Sequence, residues 1–378
     1  MAIGLYIHVP FCIRKCLYCD FTSYLLKQEQ VALYIKALKG EIILYGQLLA
    51  PEHKTIASIF VGGGTPTCLM SRQLADILDQ VARYFTIQPG AEITTEANPG
   101  TISLNSLKEL KRVGFNRLSL GVQSTHQELL NLIGRIHNLD QARQAVDFAR
   151  QAGFNNLNLD LIFGLPRQTA AQWRQSLSQV LAWQPEHLSC YGLQLEESTP
   201  LARAVERGDL PACPEELELA MYLTTIEVLA EAGYRHYEIS NFAKPGYECR
   251  HNLIYWHNQQ YLGLGPAAHS YINNARWANV DHIDKYARLV AQGVQPVEEC
   301  HRLTPMEQME ETAFLGLRLM KGLELKSFAQ RFGRELTEVF GDRIKDLQAQ
   351  GLVELKDGFL RLTKKGLPVA NRVFAAFV

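Results

Sequence analysis

The 378-residue chain predicts an α/β protein. An open, partial (β/α)6 barrel is expected over residues 1–240, a His- and aromatic-rich pocket segment over 241–302, and a winged-helix-like α+β domain over 303–378. Three observations predict this. Apolar, β-branched or Leu-rich runs alternate with segments of helical spacing roughly every 30 residues, the length of a βα unit and therefore of a parallel sheet. Glycine, proline or asparagine bounds each run. Beyond residue 303 the pattern changes to helical repeats and an Asp-Gly hairpin signal.

The expected strands are Gly4–Ile7, Ser58–Val61, Glu92–Thr95, Arg117–Val122, Leu157–Ile162 and His187–Leu193. Between them Leu74, Ile77, Leu78, Val81 and Ala82, then Leu104, Leu107, Leu110 and Val113, recur at helical spacing. Six such units are too few to close an eight-stranded barrel, and chemistry is expected at the C-terminal strand ends. Residues 214–233 read as a long amphipathic helix and Tyr234–Ile239 as a short strand. The stretch from Asn241 to Asn279 is rich in aromatics and Asn, and His251 to Ala275 carries no charge. An uncharged loop of that size predicts a lid or pocket wall. In the last domain Leu315, Leu319, Phe328, Phe332, Leu336, Val339, Phe340, Ile344 and Leu347 recur over three helices. Leu352–Leu355 and Phe359–Leu362 then flank Asp357-Gly358. The third helix is net acidic, Glu338, Asp342 and Asp346 outweighing Arg343 and Lys345. A DNA-reading helix is normally basic, so a packing or partner module is expected and no nucleic acid.

Composition narrows the class. The chain has 38 Lys+Arg against 39 Asp+Glu and is 47% apolar, which argues against both bulk-charge nucleic-acid binding and disorder. No run approaches the ~20 apolar residues of a membrane span, although docking to a membrane-bound acceptor is compatible with the composition. Met1–Ile7 lacks the basic start of a signal peptide. A cytoplasmic protein with reduced thiols is expected, and there cysteines more often serve metal or catalysis than disulfides.

Cys12, Cys16 and Cys19 form C-x3-C-x2-C directly after the first strand. On composition alone this spacing is expected by chance about 0.004 times in the chain. Structural zinc takes four protein ligands, and no fourth Cys or His follows at a zinc-like distance; His8 precedes the motif on a strand. Three thiolates suit an iron-sulfur cubane with one iron left open. Cys68, Cys190, Cys213, Cys249 and Cys300 are scattered and read mostly as small buried hydrophobes. Gly62-Gly63-Gly64-Thr65-Pro66-Thr67 follows the second strand, where glycines let a ligand approach the backbone. It lacks the Lys of a phosphate loop.

The segment YIHVPFCIRKCLYCDF, Tyr6 to Phe21, resembles the cluster loop of the radical S-adenosylmethionine (SAM) superfamily. The resemblance is to the branch containing oxygen-independent coproporphyrinogen III oxidase and the haem chaperones HemW, and it spans essentially the whole chain. It implies a 4Fe-4S cluster on Cys12, Cys16 and Cys19, with SAM on the open iron. It further implies SAM contacts from Gly63, Gly64, Thr65 and Glu96, and from the aromatic positions Tyr6 and Tyr18. Gln123, Arg135 and Asp160 match positions that line a second SAM site in the oxidase.

Two functions follow from the branch. The first is a haem chaperone that binds haem as cargo and delivers it to acceptor proteins. The alternative is an oxidase that decarboxylates porphyrinogen propionates through a 5′-deoxyadenosyl radical, fed by an electron donor. The oxidase carries a further Cys two residues after the third ligand, where this chain has Phe21, a departure that speaks against an active oxidase. His251-Asn252-Leu253-Ile254-Tyr255-Trp256 matches the HNxxYW motif of the chaperones, and Gly263 to His269 a glycine turn that ends in His. Haem iron is commonly held by His, which makes His251, His257 and His269 the haem candidates.

Overall fold

The computed structural model describes residues 2–378. Six strands run parallel, each bonded to the next: β1 (Ile3–Val9), β2 (Thr55–Gly63), β3 (Thr86–Ala97), β4 (Arg117–Gln123), β5 (Leu157–Phe163) and β6 (His187–Gly192). Every expected barrel strand is present, and β3 starts at Thr86 instead of Glu92. Successive side chains leave opposite faces of a strand. Ile3, Leu5, Ile7 and Val9 of β1 are therefore buried in the core, while Tyr6 and His8 face the barrel interior. The helices Gln28–Leu48, Ser71–Tyr84 and Ala170–Leu181 bury Tyr34, Leu38, Ile42, Leu74, Ile77, Val81, Trp173, Leu177 and Val180 in the same core. Side-chain caps from Ser103, Asn138 and Thr169 start three of the crossover helices by satisfying backbone donors that have no helical partner.

The stretch from Asn241 to Asn279, expected as a lid or pocket wall and uncharged from His251 to Ala275, is built mostly of sheet strands. It contributes β8 (Asn241–Ala243), β9 (Tyr261–Leu264), β10 (His269–Ile272), β11 (Ala275–Asn279) and, further on, β12 (Val297–Arg302) to the barrel sheet, alongside β7 (Arg235–Glu238). The twelve strands lie in the order β12-β11-β10-β9-β1-β2-β3-β4-β5-β6-β8-β7. β9 pairs in parallel with β1, and Leu262, Leu264 and Ile272 join the barrel core, so the expected 241–302 segment shares its interior with the barrel. Period-2 alternation is hard to see in a stretch without charges to mark its outer face. Both edges of the half-barrel are thereby covered.

The helix Arg250–Trp256 seals the N-terminal end of the barrel. His251 bonds Ser58 Oγ, and Ile254 and His251 lie where a side chain on Gly4 would sit.

The C-terminal region has its own core of Met309, Ala313, Leu317, Phe328, Leu336, Phe340, Ile344, Leu347, Leu360 and Phe377. Three helices, Pro305–Gly316, Leu325–Phe332 and Leu336–Ala349, pack on a sheet of β13 (Leu323–Glu324), β14 (Val353–Lys356) and β15 (Phe359–Leu362). At the hairpin Asp357 has φ 52° and Gly358 φ 81°, the left-handed pair that an Asp-Gly turn supplies. Arg276 pairs with Glu311 at 2.6 Å, and the Arg318 guanidinium lies 4.3 Å from the Trp256 ring centre; both tie the domain to the barrel. Among the described residues no helix is long and apolar enough to cross a membrane.

Candidate metal and cofactor site

The C-terminal end of β1 runs directly into the cysteine loop, which is braced from two sides. Gly64 N donates to Val9 O at 2.9 Å and Thr65 N to Phe11 O at 2.7 Å, clamping the end of β2 to the loop. A Cβ on Gly64 would lie 2.5 Å from Phe11 O, so only glycine permits this approach. Phe11–Cys12 also pairs with Tyr24–Leu25, which closes the loop at its base.

The thiols meet donors. Thr65 Oγ1 donates to Cys12 Sγ at 3.6 Å, and Arg135 Nη1 to Cys16 Sγ at 3.5 Å. Burial raises the Cys12 thiol pKa and pushes Cys19 up to about 11, with the neighbouring cysteines adding to both. Without a metal these thiols are neutral; a cluster would take their protons' place, since thiolate is the ligating form. Three cysteines on one loop, two of them with an O–H or N–H donor aimed at the sulfur, have the chemistry that fits an iron-sulfur cluster.

Arg135 gathers the site. Its Nη2 donates to Asn98 Oδ1 and to Gly121 O, both at 2.5 Å, while Nη1 reaches Cys16. Gly121 leaves room for this guanidinium, since a Cβ there would lie 2.9 Å from Arg135 Nη2. A cleft between the cysteine loop and residues 134–137 is lined by Cys16, Thr65, Asn98, Thr101 and Arg135. Gln123 ends β4 with φ 65°, a left-handed turn that swings the chain toward this loop.

The barrel interior behind the cleft is polar. Glu96 Oε2 accepts from Gly63 N at 3.1 Å. Burial first, and then the charge of Asp160, push the Glu96 carboxyl up to about 8, opposed by the Gly63 bond and Arg117. Asp160 is raised by burial, against bonds from Asn158 at 2.7 Å and Ser119 at 3.1 Å. Two half-buried carboxylates without a full cationic partner suit a positively charged ligand such as a sulfonium. Tyr6 donates to His8 Nδ1 at 2.9 Å, and His8 Nε2 to Thr22 O at 2.7 Å. Burial raises the Tyr6 and Tyr18 phenols, and Tyr18 lies in the field of Arg135, Cys16, Cys19 and Asp160.

The structure thus brings Cys12, Cys16, Cys19, Tyr6, Tyr18, Gly63, Gly64, Thr65, Glu96, Gln123, Arg135 and Asp160 to one end of the barrel and its upper interior. The three histidines are not together. His251 is buried in the barrel floor, its Nδ1 bonded to Ser58 Oγ and its Nε2 to Tyr255 Oη, both at 2.8 Å. Burial, then the charge of Arg117, drop its pKa to about 3. His257 is exposed at the C-terminal domain, in the field of Lys321 and Glu324. His269 opens β10, exposed at the cluster end of the barrel, and its charge is felt by His8. Asn98, Arg117 and Glu92 were missed from sequence. Asn98 stands two residues after Glu96, whereas Glu92, which accepts from the backbone of Arg250 and His251, gives no local signal.

An open half-barrel of six parallel strands with a three-cysteine loop after its first strand is the architecture of a radical SAM protein. The Radical SAM superfamily model matches residues 6–180 and the HemN C-terminal domain model residues 303–369. Heme chaperone HemW of Bacillus subtilis is 40% identical over 377 residues, covering 99% of this chain and 98% of its own length. The protein of that name from Lactococcus lactis is 34% identical over 373 residues, 99% and 96% of the two chains. Coproporphyrinogen III oxidase (HemN) from Escherichia coli, a solved structure, shares the fold with a TM-score of 0.86 at 26% identity, over 100% of this chain and 90% of that one. The chain belongs to the HemW family of the radical SAM superfamily. That membership implies a 4Fe-4S cluster and SAM.

Proposed function

We propose that this chain is a haem chaperone that takes up haem at the cluster end of the half-barrel and passes it to acceptor proteins. One observation carries the placement. Ile13, Phe21, Leu25 and Ile136 are 51–59% exposed around the cysteine loop, and His269 is exposed at the same end of the barrel. Isolated exposed apolar residues are ordinary, but a group of them beside a charged rim marks a binding surface. Arg14 and Lys15 are exposed on the same loop and suit the propionates of a flat, apolar macrocycle, while His269 offers an imidazole to its iron. The full-length similarity to proteins named heme chaperone supports the same reading.

Cys12, Cys16 and Cys19 would hold the cluster, and Gly63, Gly64, Thr65, Glu96, Tyr6 and Tyr18 the SAM. When bound, cluster and SAM supply one-electron chemistry at a sulfonium. Glu96 and Asp160 offer the negative field that retains such a cation; Arg135 ties the cysteine loop to β4; His8 orients Tyr6. Gln123 and Asp160 would bound the far side of the ligand. Of the histidines, His251 has both ring nitrogens bonded within the floor, and His269 has the accessible ring.

The test uses anaerobically reconstituted full-length protein. Haemin titration should give a saturable Soret band that His269→Ala weakens and His257→Ala leaves unchanged. Cys12→Ser, Cys16→Ser and Cys19→Ser should each abolish the cluster's absorbance. Conversion of coproporphyrinogen III with SAM and a reductant would overturn the chaperone reading in favour of the oxidase.

A further inference from the structure

The turn carrying His269 is gripped from beneath by a carboxylate that never meets water. Glu41 lies in the middle of the helix Gln28–Leu48 and is 0% exposed. Its Oε2 accepts from Gly265 N at 2.7 Å and from Tyr286 Oη at 2.6 Å, and its Oε1 from Asn279 Nδ2 at 2.6 Å. Asn279 Nδ2 also donates to Gly265 O at 2.9 Å, so Gly265 is held by both its amide and its carbonyl. Two turns earlier on the same helix, Tyr34 Oη donates to His8 O at 2.8 Å. Gly265 packs on that very carbonyl, since a Cβ there would lie 2.5 Å from His8 O. One helix therefore fixes His8, whose ring lies in the field of His269, and Gly265, at the start of the turn that leads to His269.

A buried carboxylate with three donors and no cation is an expensive way to hold a turn, because desolvating a charge costs more than desolvating an amide. The arrangement also contains its own alternative. Asn279 Oδ1 is buried and has no hydrogen-bond partner. A proton on Glu41 Oε1 would point at Asn279 Nδ2; half a rotation of that amide would present Oδ1 to the new O–H and withdraw Nδ2 from Gly265 O.

We infer that Glu41 is a positioning residue for haem retention: as a carboxylate it fixes the Gly265–His269 turn at the barrel mouth, and on taking a proton it releases that turn through Asn279. The inference rests on the reading of His269 as a haem ligand. Burial pushes the Glu41 carboxyl up to about 7, against the bonds from Tyr286, Gly265 and Asn279 that lower it, so the exchange falls near neutral pH. The titratable groups facing Glu41 are phenols: Tyr34 and Tyr45 from its own helix and Tyr286 from the helix Ile283–Ala291. β11 and the turn contribute only the amide donors of Asn279 and Gly265.

The experiment follows transfer of haemin from the full-length protein to excess apomyoglobin at pH 6 and pH 8. Wild type should release haemin about tenfold faster at pH 6, the scale of an ordinary coupling. Glu41→Gln, which keeps one acceptor and replaces the other with a donor, should release at the fast rate at both pH values. Asn279→Ala should also lose the pH response, which covers the case of a Glu41 variant that does not fold. A wild-type pH response retained in both variants would overturn the role of Glu41 while leaving haem binding intact. Absence of saturable haemin binding by wild type would overturn this inference together with the proposed function.

Discussion

Arg135 donates to three segments that are far apart in sequence: Cys16 in the cysteine loop, Asn98 after β3 and Gly121 in β4. Lysine has the charge but not the planar fork that serves such separated acceptors. Arg135→Lys should therefore weaken SAM binding by about 1.5–3 kcal/mol, the range for lost charge-assisted bonds, and calorimetric titration of the reconstituted protein would read it. Glu96 makes a pH prediction. Its folded pKa of about 8 lies above the carboxyl value of an unfolded chain, so the folded state binds the extra proton. Its contribution to stability is then fully present below the unfolded pKa and lost as pH rises toward 8. In the absence of SAM, thermal stability should fall over that window, and Glu96→Gln should flatten the slope. An unchanged slope would mean that Glu96 ionises freely in the folded protein. The motif residues at this scale were legible because their chemistry is local: three thiols on one loop, glycines before a Thr, an acid at a strand end. Arg117, buried at the start of β4 with its Nε unpartnered, looked like any strand-opening residue, since nothing nearby in sequence says which face it takes.

Among the elements, the six barrel strands were legible because each is a short apolar run between turn residues, and the hairpin at Asp357-Gly358 because its turn demands left-handed residues. The turn at Gly265 was read as a motif, but its geometric reason lies across the sheet. Gly265 has φ +98° as well as the close approach to His8 O, whereas Gly246 has φ +87° with nothing within 4 Å of its added Cβ. Gly265→Ala should cost about 1–3 kcal/mol or more, for strain plus the clash, and Gly246→Ala about 1 kcal/mol for conformation alone. Paired thermal melts would check this; equal costs would mean that the contact with β1 is relieved by a shift. The helix Arg250–Trp256 shows the opposite limit. Its HNxxYW motif was read as a pocket wall, yet His251 and Tyr255 face the barrel floor while Trp256 faces Arg318. Helical spacing predicts that these residues diverge in direction, but not what each meets.

At the scale of the molecule, two cores are joined by a polar seam. Glu238 is 0% exposed, and its Oε2 has no hydrogen bond and lies 3.6 Å from Arg318 Nη2, whose side chain is 25% exposed. Arg318 also covers Trp256, so Arg318→Ala would strand a buried carboxylate and open the seam. The expected loss is about 3 kcal/mol, the low end for breaking a buried pair because Arg318 is partly wetted. Calorimetry should show a lower melting temperature, with the C-terminal domain melting ahead of the barrel; an unchanged single transition would show that the seam contributes little.

By itself the sequence determined the parallel half-barrel, the three-thiol loop, the glycine turn beside it and the small C-terminal domain. Periodicity, turn chemistry and ligand spacing are properties of neighbouring residues, and neighbours in sequence are all that a sequence displays. Only the tertiary structure decided that the aromatic- and Asn-rich segment after Asn241 extends the sheet, that His251 lies in the floor while His269 stands at the mouth, and that Glu41 reaches Gly265 from more than two hundred residues away. Such placements depend on which faces become buried against each other, and that choice is made by packing the whole chain at once.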